Sequence, residues 1–259
     1  MALVEPVPGE PAATATLGDE RALVVADYHA GIEAGLRYEQ GISLDNRAGE
    51  RRDRMESLVE RTDPDRVVVL GDLMHSIAGP GGAERGEIEV LLESIDRPVT
   101  LVKGNHDGDI ESWVDCTVTP GDGIRLGDVG FVHGHTWPNE YVFSADVVCV
   151  GHEHPCVRLE DSVGGSRIER VWLRGKLNPD VFEEQYGEEG ADGADGADGG
   201  AEMSNDARLI VFPAFNDLTG GTWVNVAGQD FLAPFLPDGL ADGEAYLLDG
   251  TRLGRYDAI

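Results

Sequence analysis

The sequence predicts an α/β protein in which a mainly parallel sheet built from βαβ units packs on a second, mostly antiparallel sheet. Three observations carry this: apolar runs bounded by turn residues recur through the first 150 residues, amphipathic helical stretches separate them, and short β-like pieces follow from about Cys116. Ala22–Ala26 (ALVVA) reads as a buried strand ending at Asp27. A helix is expected over Arg47–Thr62, with Met55, Leu58 and Val59 on one side and Asp63-Pro64-Asp65 as its stop signal. Val67–Leu70 is the next strand and ends in Gly71-Asp72. Ala83–Asp96 places Ile88, Leu91, Leu92 and Ile95 at i, i+3, i+4 and i+7, the stripe of an amphipathic helix. Val99–Val102 follows and runs into Gly104-Asn105-His106-Asp107. Strand, helix, strand, helix, strand is the pattern of a buried parallel sheet. The later pieces are Gly123–Leu126, Val129–His133, Val147–Gly151, Cys156–Leu159, Arg167–Leu173, Leu209–Phe212 and Thr222–Val226. Between them, residues 187–206 hold three Ala-Asp-Gly triplets among many acids and are expected to be a disordered surface insertion in a single domain spanning 1–259.

Composition narrows the function classes. The longest apolar runs are far short of the ~18 residues that span a bilayer, and the N-terminus has no secretory pattern. Three cysteines, Cys116, Cys149 and Cys156, lack CxxC spacing, which fits a reducing cytoplasm and no thiolate zinc site. Forty-nine acids face 20 bases, for a net charge of −29, and only Lys103 and Lys176 are lysines. Such a surface repels itself in dilute buffer. In molar salt, where the Debye length is about 3 Å, that cost largely vanishes. The balance resembles that of proteins from salt-accumulating halophiles. Arg51, Arg52 and Arg54 lie among acids on the first long helix and read as a solvated face with i,i+4 ion pairs.

All seven histidines fall within a few residues of a strand's expected carboxyl end: His29, His75, His106, His133, His135, His152 and His154. Sites in α/β sheets are assembled there. Asp27, Asp72 and Asn105 share these loops, and in an irregular loop residues i and i+2 can both turn toward one centre. Imidazoles, two carboxylates and one amide suit Mn²⁺, Fe²⁺, Zn²⁺, Ni²⁺ or Co²⁺ better than Mg²⁺ or Ca²⁺. The donors outnumber those of a mononuclear site, so two ions sharing a carboxylate are expected.

The ordered set DxH, GD, GNHD, HGH and GHxH, from Asp27 to His154, resembles the calcineurin-like metallophosphoesterase superfamily. The resemblance implies a four-layer α/β/β/α sandwich and a dinuclear centre. Asp27, His29 and His154 would hold one ion, Asn105, His133 and His152 the other, and Asp72 would bridge them. His106 would be the catalytic histidine. Where many members have GDxxD, this chain has His75, as the SbcD-type repair nucleases do; that favours phosphodiesters, DNA or a nucleotide among them, and makes His75 a second catalytic candidate. The stretches Asp27–Glu33 (DYHAGIE) and Leu209–Gly221 (LIVFPAFNDLTGG) resemble the compact, SbcD-related, ICC-like phosphoesterases of archaea. Asn216 and His135 are then candidate substrate-binding residues. The expected activity is a manganese-dependent phosphoesterase of nuclease type. The alternatives are a phosphomonoesterase and a non-catalytic binding platform.

Overall fold

In the computed structural model of the chain, which describes residues 2–77, 79, 81–189 and 206–259, the hydrophobic runs become two facing sheets flanked by helices. β1 (Val4–Pro6), β2 (Ala12–Leu17) and β3 (Glu20–Val25) form an antiparallel meander. α1 (Ile32–Gln40) and α2 (Ala48–Thr62) cross over to β4 (Arg66–Val69), and α3 (Gly82–Ser94) crosses to β5 (Val99–Val102). With β6 (Thr117–Thr119), the strands β3, β4 and β5 pair in parallel. The second sheet begins with β7 (Ile124–Leu126) and β8 (Val129–Val132), followed by α4 (Glu140–Phe143) and β9 (Val147–Val150). β10 (Cys156–Glu160) and β11 (Ser166–Leu177) form a hairpin. α5 (Pro179–Glu189), β12 (Arg208–Val211), β13 (Leu240–Leu247) and β14 (Arg252–Arg255) complete the chain. This sheet runs in the order β14-β13-β11-β12-β9-β8-β7, with β10 attached to β11.

Strand alternation explains the layers. In β3, Ala22 and Val24 face the second sheet while Leu23 and Val25 face α2 and α3. In β9, Val147 and Cys149 point between the sheets and Val148 and Val150 point outward. The layer between the sheets is closed by Trp172 against Phe212, with ring centroids 4.7 Å apart. Met55, Leu58, Ile88 and Leu91 bring α2 and α3 onto one outer face, and Phe143 and Phe182 bring α4 and α5 onto the other. Each such side chain, fully buried, contributes roughly 1.5–3 kcal/mol. Three apolar layers between four structural ones make the α/β/β/α sandwich that the sequence predicts.

The second sheet is mostly antiparallel, as expected, with a parallel stretch at β8, β9 and β12. Other expectations change. Thr222–Val226 makes one isolated bridge, Cys156 to Trp223, and is no strand; Asn225 instead clasps Arg158, accepting from its N–H at 2.9 Å and donating to its carbonyl at 2.8 Å. The strands β1, β2, β6, β13 and β14 were not expected. Arg51 is no surface residue: it is 6 % exposed and ion-paired with Glu33 and Glu87 at 2.6 and 2.8 Å. Arg52 does keep its exposed i,i+4 pair with Glu56. α5 runs to Glu189, beyond the expected start of the acidic insertion at 187, and residues 190–205 of that insertion lie outside the described residues.

Candidate metal centre

The parallel strands β3, β4 and β5 of one sheet, and β8 and β9 of the other, deliver their carboxyl ends to one edge of the sandwich. Asp27, Asp72, the Asn105-His106 pair, His133 and His152 follow these strands within a few residues. The backbone there is wound tightly: Asp27, His29, Asp72, His152 and His154 all have positive φ, between 45° and 66°. For residues other than glycine this costs of order 1–3 kcal/mol each and persists only where surrounding contacts over-determine it. Gly71 and Gly104 are obligatory, since a Cβ at either would overlap the His133 ring or the Asp72 carboxylate.

The side chains converge as two groups. Asp27, His29 and His154 place potential ligand atoms within 4.8 Å of one another, and so do Asp72, His133 and His152. His154 Nε2 lies 3.3 Å from Asp27 Oδ1 and 3.4 Å from His29 Nε2. On the other side, His133 Nε2 lies 3.1 Å from Asn105 Oδ1 and 3.4 Å from Asp72 Oδ1. Asp72 stands between the groups, its second oxygen 3.8 Å from His29 Nε2. Two ring nitrogens are tied off from behind, His133 Nδ1 by the Leu70 carbonyl at 2.8 Å and His154 Nδ1 by the Gly220 carbonyl at 2.9 Å. A proton held at Nδ1 means that each ring, once neutral, presents its Nε2 lone pair to the centre, as metal binding requires. Nitrogen lone pairs 3.4 Å apart beside a buried carboxylate are a poor arrangement without a cation, so the donors fit divalent ions.

Beyond these groups lie His75 and His106, stacked with centroids 5.9 Å apart. The His106 N–H donates to Asp72 Oδ1 at 2.9 Å, and its Nδ1 bonds the His75 carbonyl. His29, His75 and His106 form a third cluster within ligand range. His135 packs beside His133 and His152, with centroids 5.3 and 6.1 Å away. Asn216 differs from the expectation of a substrate-contacting residue: it is fully buried, and its amide donates to the carbonyls of Tyr28 and His29 at 2.9 and 3.2 Å. It holds the Asp27–His29 loop from behind.

A family model described as calcineurin-like phosphoesterase matches residues 20–156, the span that supplies every one of these clustered donors. The chain belongs to the calcineurin-like phosphoesterase family. It is therefore a hydrolase of phosphoester bonds, in a family that uses divalent metals. The phosphoesterase shares its fold with a nuclease, MPE, from Pseudomonas putida, at 19 % identity and a TM-score of 0.57, over 96 % of this chain and 100 % of that one. The phosphoesterase Yfce from E. coli is also similar, at 20 % identity and a TM-score of 0.37, over 54 % of this chain and 74 % of that one. A predicted phosphoesterase from Streptococcus pneumoniae aligns at 16 % identity and a TM-score of 0.25, covering 55 % of this chain and 67 % of that one. No curated protein sequence matches the chain. Among the described residues, no helix is long and apolar enough to cross a membrane.

Burial and charge set the protonation of the phosphoesterase's centre. Burial would push the Asp72 carboxyl up, but His133, His29 and His106 together hold it below the usual carboxylate range. Asp27 is held low in the same way, chiefly by His154. Burial opposes charge on His133, yet Asp72 and Asp27 raise it to about 9. Burial lowers His29 to about 3, and burial with His133 lowers His152 to about 4. The last two imidazoles are thus neutral near pH 7 and ready to donate.

Four buried carboxylates that sequence reasoning gave no role hold the loops in place. Asp107 accepts from the N–H groups of Gly104, Asp72 and Met74 at 2.7, 2.9 and 3.1 Å. Glu84 accepts from His75 and Ser76 at 2.6 and 2.8 Å, and Glu87 from Gly31 at 2.9 Å. Glu153, between His152 and His154, accepts from Leu232, Ala233 and the Thr222 hydroxyl at 3.0, 3.1 and 2.6 Å. Only Asp107, inside GNHD, and Glu153, inside GHEH, had a local signal, their place within a ligand motif.

Proposed function

We propose that the phosphoesterase uses two divalent ions, manganese foremost, to hydrolyse phosphodiesters, nucleotides and nucleic-acid ends among them. One ion would sit with Asp27, His29 and His154, the other with Asn105, His133 and His152. The observation that carries this reading is the Asp72 carboxylate, with one oxygen toward His133 and the other toward His29. When bound, the ions supply Lewis acidity toward a phosphoryl oxygen and lower the pKa of a water. The protein's part is positional. The carbonyls of Leu70 and Gly220 keep His133 and His154 in the tautomer that presents Nε2. His106 has Nδ1 anchored on the His75 carbonyl, so when the ring carries a second proton that proton sits on Nε2, from which it can pass to the departing oxygen and leave the neutral imidazole behind. His75, stacked on His106, and His135, beside His133, would contact the substrate. The fold shared with a bacterial nuclease accords with a diester substrate.

In molar KCl with Mn²⁺, bis-p-nitrophenyl phosphate is expected to turn over faster than p-nitrophenyl phosphate, with activity lost to EDTA and restored by Mn²⁺. Monoester turnover without diester turnover would overturn the substrate assignment, and metal analysis showing one ion per chain would overturn the pair. The same reading places the enzyme in a reducing, saline cytoplasm. The net charge of −29 predicts a thermal midpoint that climbs as KCl is raised from millimolar to molar. Equal midpoints across that range would remove the halophilic part of the proposal.

A further inference from the structure

A phosphodiester carries an organic group on each side of its phosphorus, and an acidic protein has few cations with which to hold a polyanion. Arginines on and just before α2 are already engaged: Arg47 with Glu50 and Asp217, Arg51 with Glu33 and Glu87, Arg54 with Glu10. Salt screens what attraction remains. Contacts that carry no net charge must therefore supply much of the affinity for the substituents.

One rim of the centre offers such contacts. α1 abuts His75, for a Cβ at Gly35 would overlap the imidazole, and the charge of Glu39 acts on the same ring. Gly35 and Glu39 therefore mark the helix face turned toward the site. Tyr38 adjoins that face, three residues and about 4.5 Å along the axis from Gly35. It is 94 % exposed. Past His75 on the facing loop, Ile77 is 69 % exposed. A single exposed apolar side chain means little; here an aromatic on the helix that abuts His75 and an aliphatic two residues past His75 on its loop both offer uncharged surface at this rim.

We infer that Tyr38 stacks on the base of the nucleotide adjoining the scissile phosphate, so that the enzyme prefers nucleoside-bearing diesters. The inference rests on the diester reading above. Stacking suits this surface because every base has a π-face and a neutral ring pair loses nothing to salt screening.

The test compares two diesters of equal charge and leaving group, thymidine 5′-p-nitrophenyl phosphate and methyl p-nitrophenyl phosphate, in molar KCl with Mn²⁺. The wild type is expected to favour the thymidine ester about tenfold or more in kcat/KM. Tyr38→Ala should remove most of that ratio through KM, and Tyr38→Phe should retain it. A ratio that Tyr38→Ala leaves unchanged overturns the inference. Calorimetric binding of trithymidylate reads the stacking independently of turnover: about tenfold weaker binding by Tyr38→Ala supports it, and equal or absent binding in both proteins overturns it. Failure of the diester reading looks different, as a wild type that hydrolyses p-nitrophenyl phosphate and neither diester.

Discussion

Replacing His106 by alanine is expected to lower kcat by about 10²–10⁴-fold on a dinucleotide, whose leaving group is an alkoxide, and by much less on bis-p-nitrophenyl phosphate. The difference follows from the leaving group: p-nitrophenolate departs without a proton, and an alkoxide does not. Under the proposed mechanism that proton comes from Nε2, because Nδ1 is occupied by the His75 carbonyl and the backbone N–H is bound to Asp72 Oδ1 at 2.9 Å. His106 is part-buried, with its side chain 21 % exposed and Nε2 3.8 Å from Asp72 Oδ2, so it stands at the mouth of the centre rather than within it. Steady-state kinetics on the two substrates decide the matter. Equal losses would make His106 a phosphate-binding group only, and no loss on either would end its catalytic assignment.

The second large effect is expected at Glu153. Its carboxylate is fully buried and serves the N–H groups of Leu232 and Ala233 together with the Thr222 hydroxyl. Glu153→Ala would leave the buried Ala233 N–H and Thr222 hydroxyl and the part-buried Leu232 N–H without an acceptor, at roughly 1–3 kcal/mol for each buried donor, for a loss of about 2–5 kcal/mol in folding stability. The loss should also reach the metals. His152 and His154 flank Glu153 with φ of 66° and 45°, a conformation that needs outside support, and Glu153 anchors the residue between them to the 222–233 segment. Denaturant unfolding is expected to show the lower midpoint, and elemental analysis a reduced metal content. Glu153→Gln keeps one acceptor oxygen and should fall between. A midpoint equal to wild type in Glu153→Ala would refute the anchoring role.

Local pattern located the chemistry well and its supports poorly. The runs at Ala22–Ala26, Val67–Leu70 and Val99–Val102 are apolar on both faces because each strand is covered by helices on one side and a sheet on the other, and that composition is visible without coordinates. The two long helices carry one buried stripe each, so their limits were close: 47–62 against Ala48–Thr62, and 83–96 against Gly82–Ser94. β2 escaped because its segment, AATATL, fills a crowded layer with small residues that look like loop composition. Thr222–Val226 looked like a strand because Trp, Val and Val are β-formers, yet its polar groups are spent clasping β10 and Glu153.

The sequence alone located the side chains that the fold gathers into clusters, since the histidines, Asp27 and Asp72 sit at strand ends and leave a local record. It also determined the two-layered sheet core, through the alternation and length of its apolar runs. Tertiary structure decided which acids matter. Among 49 carboxylates, Glu84 and Glu87 carry no local mark, and Asp107 and Glu153 only their place inside a motif; their partners, the backbone donors of distant or folded-back loops, distinguish them from the solvated majority. The same holds for Arg51, read as exposed and found buried between Glu33 and Glu87. The physical reason is that periodicity records which face of an element is apolar, whereas a hydrogen bond to a buried charge is a pairing between distant positions that no single segment encodes.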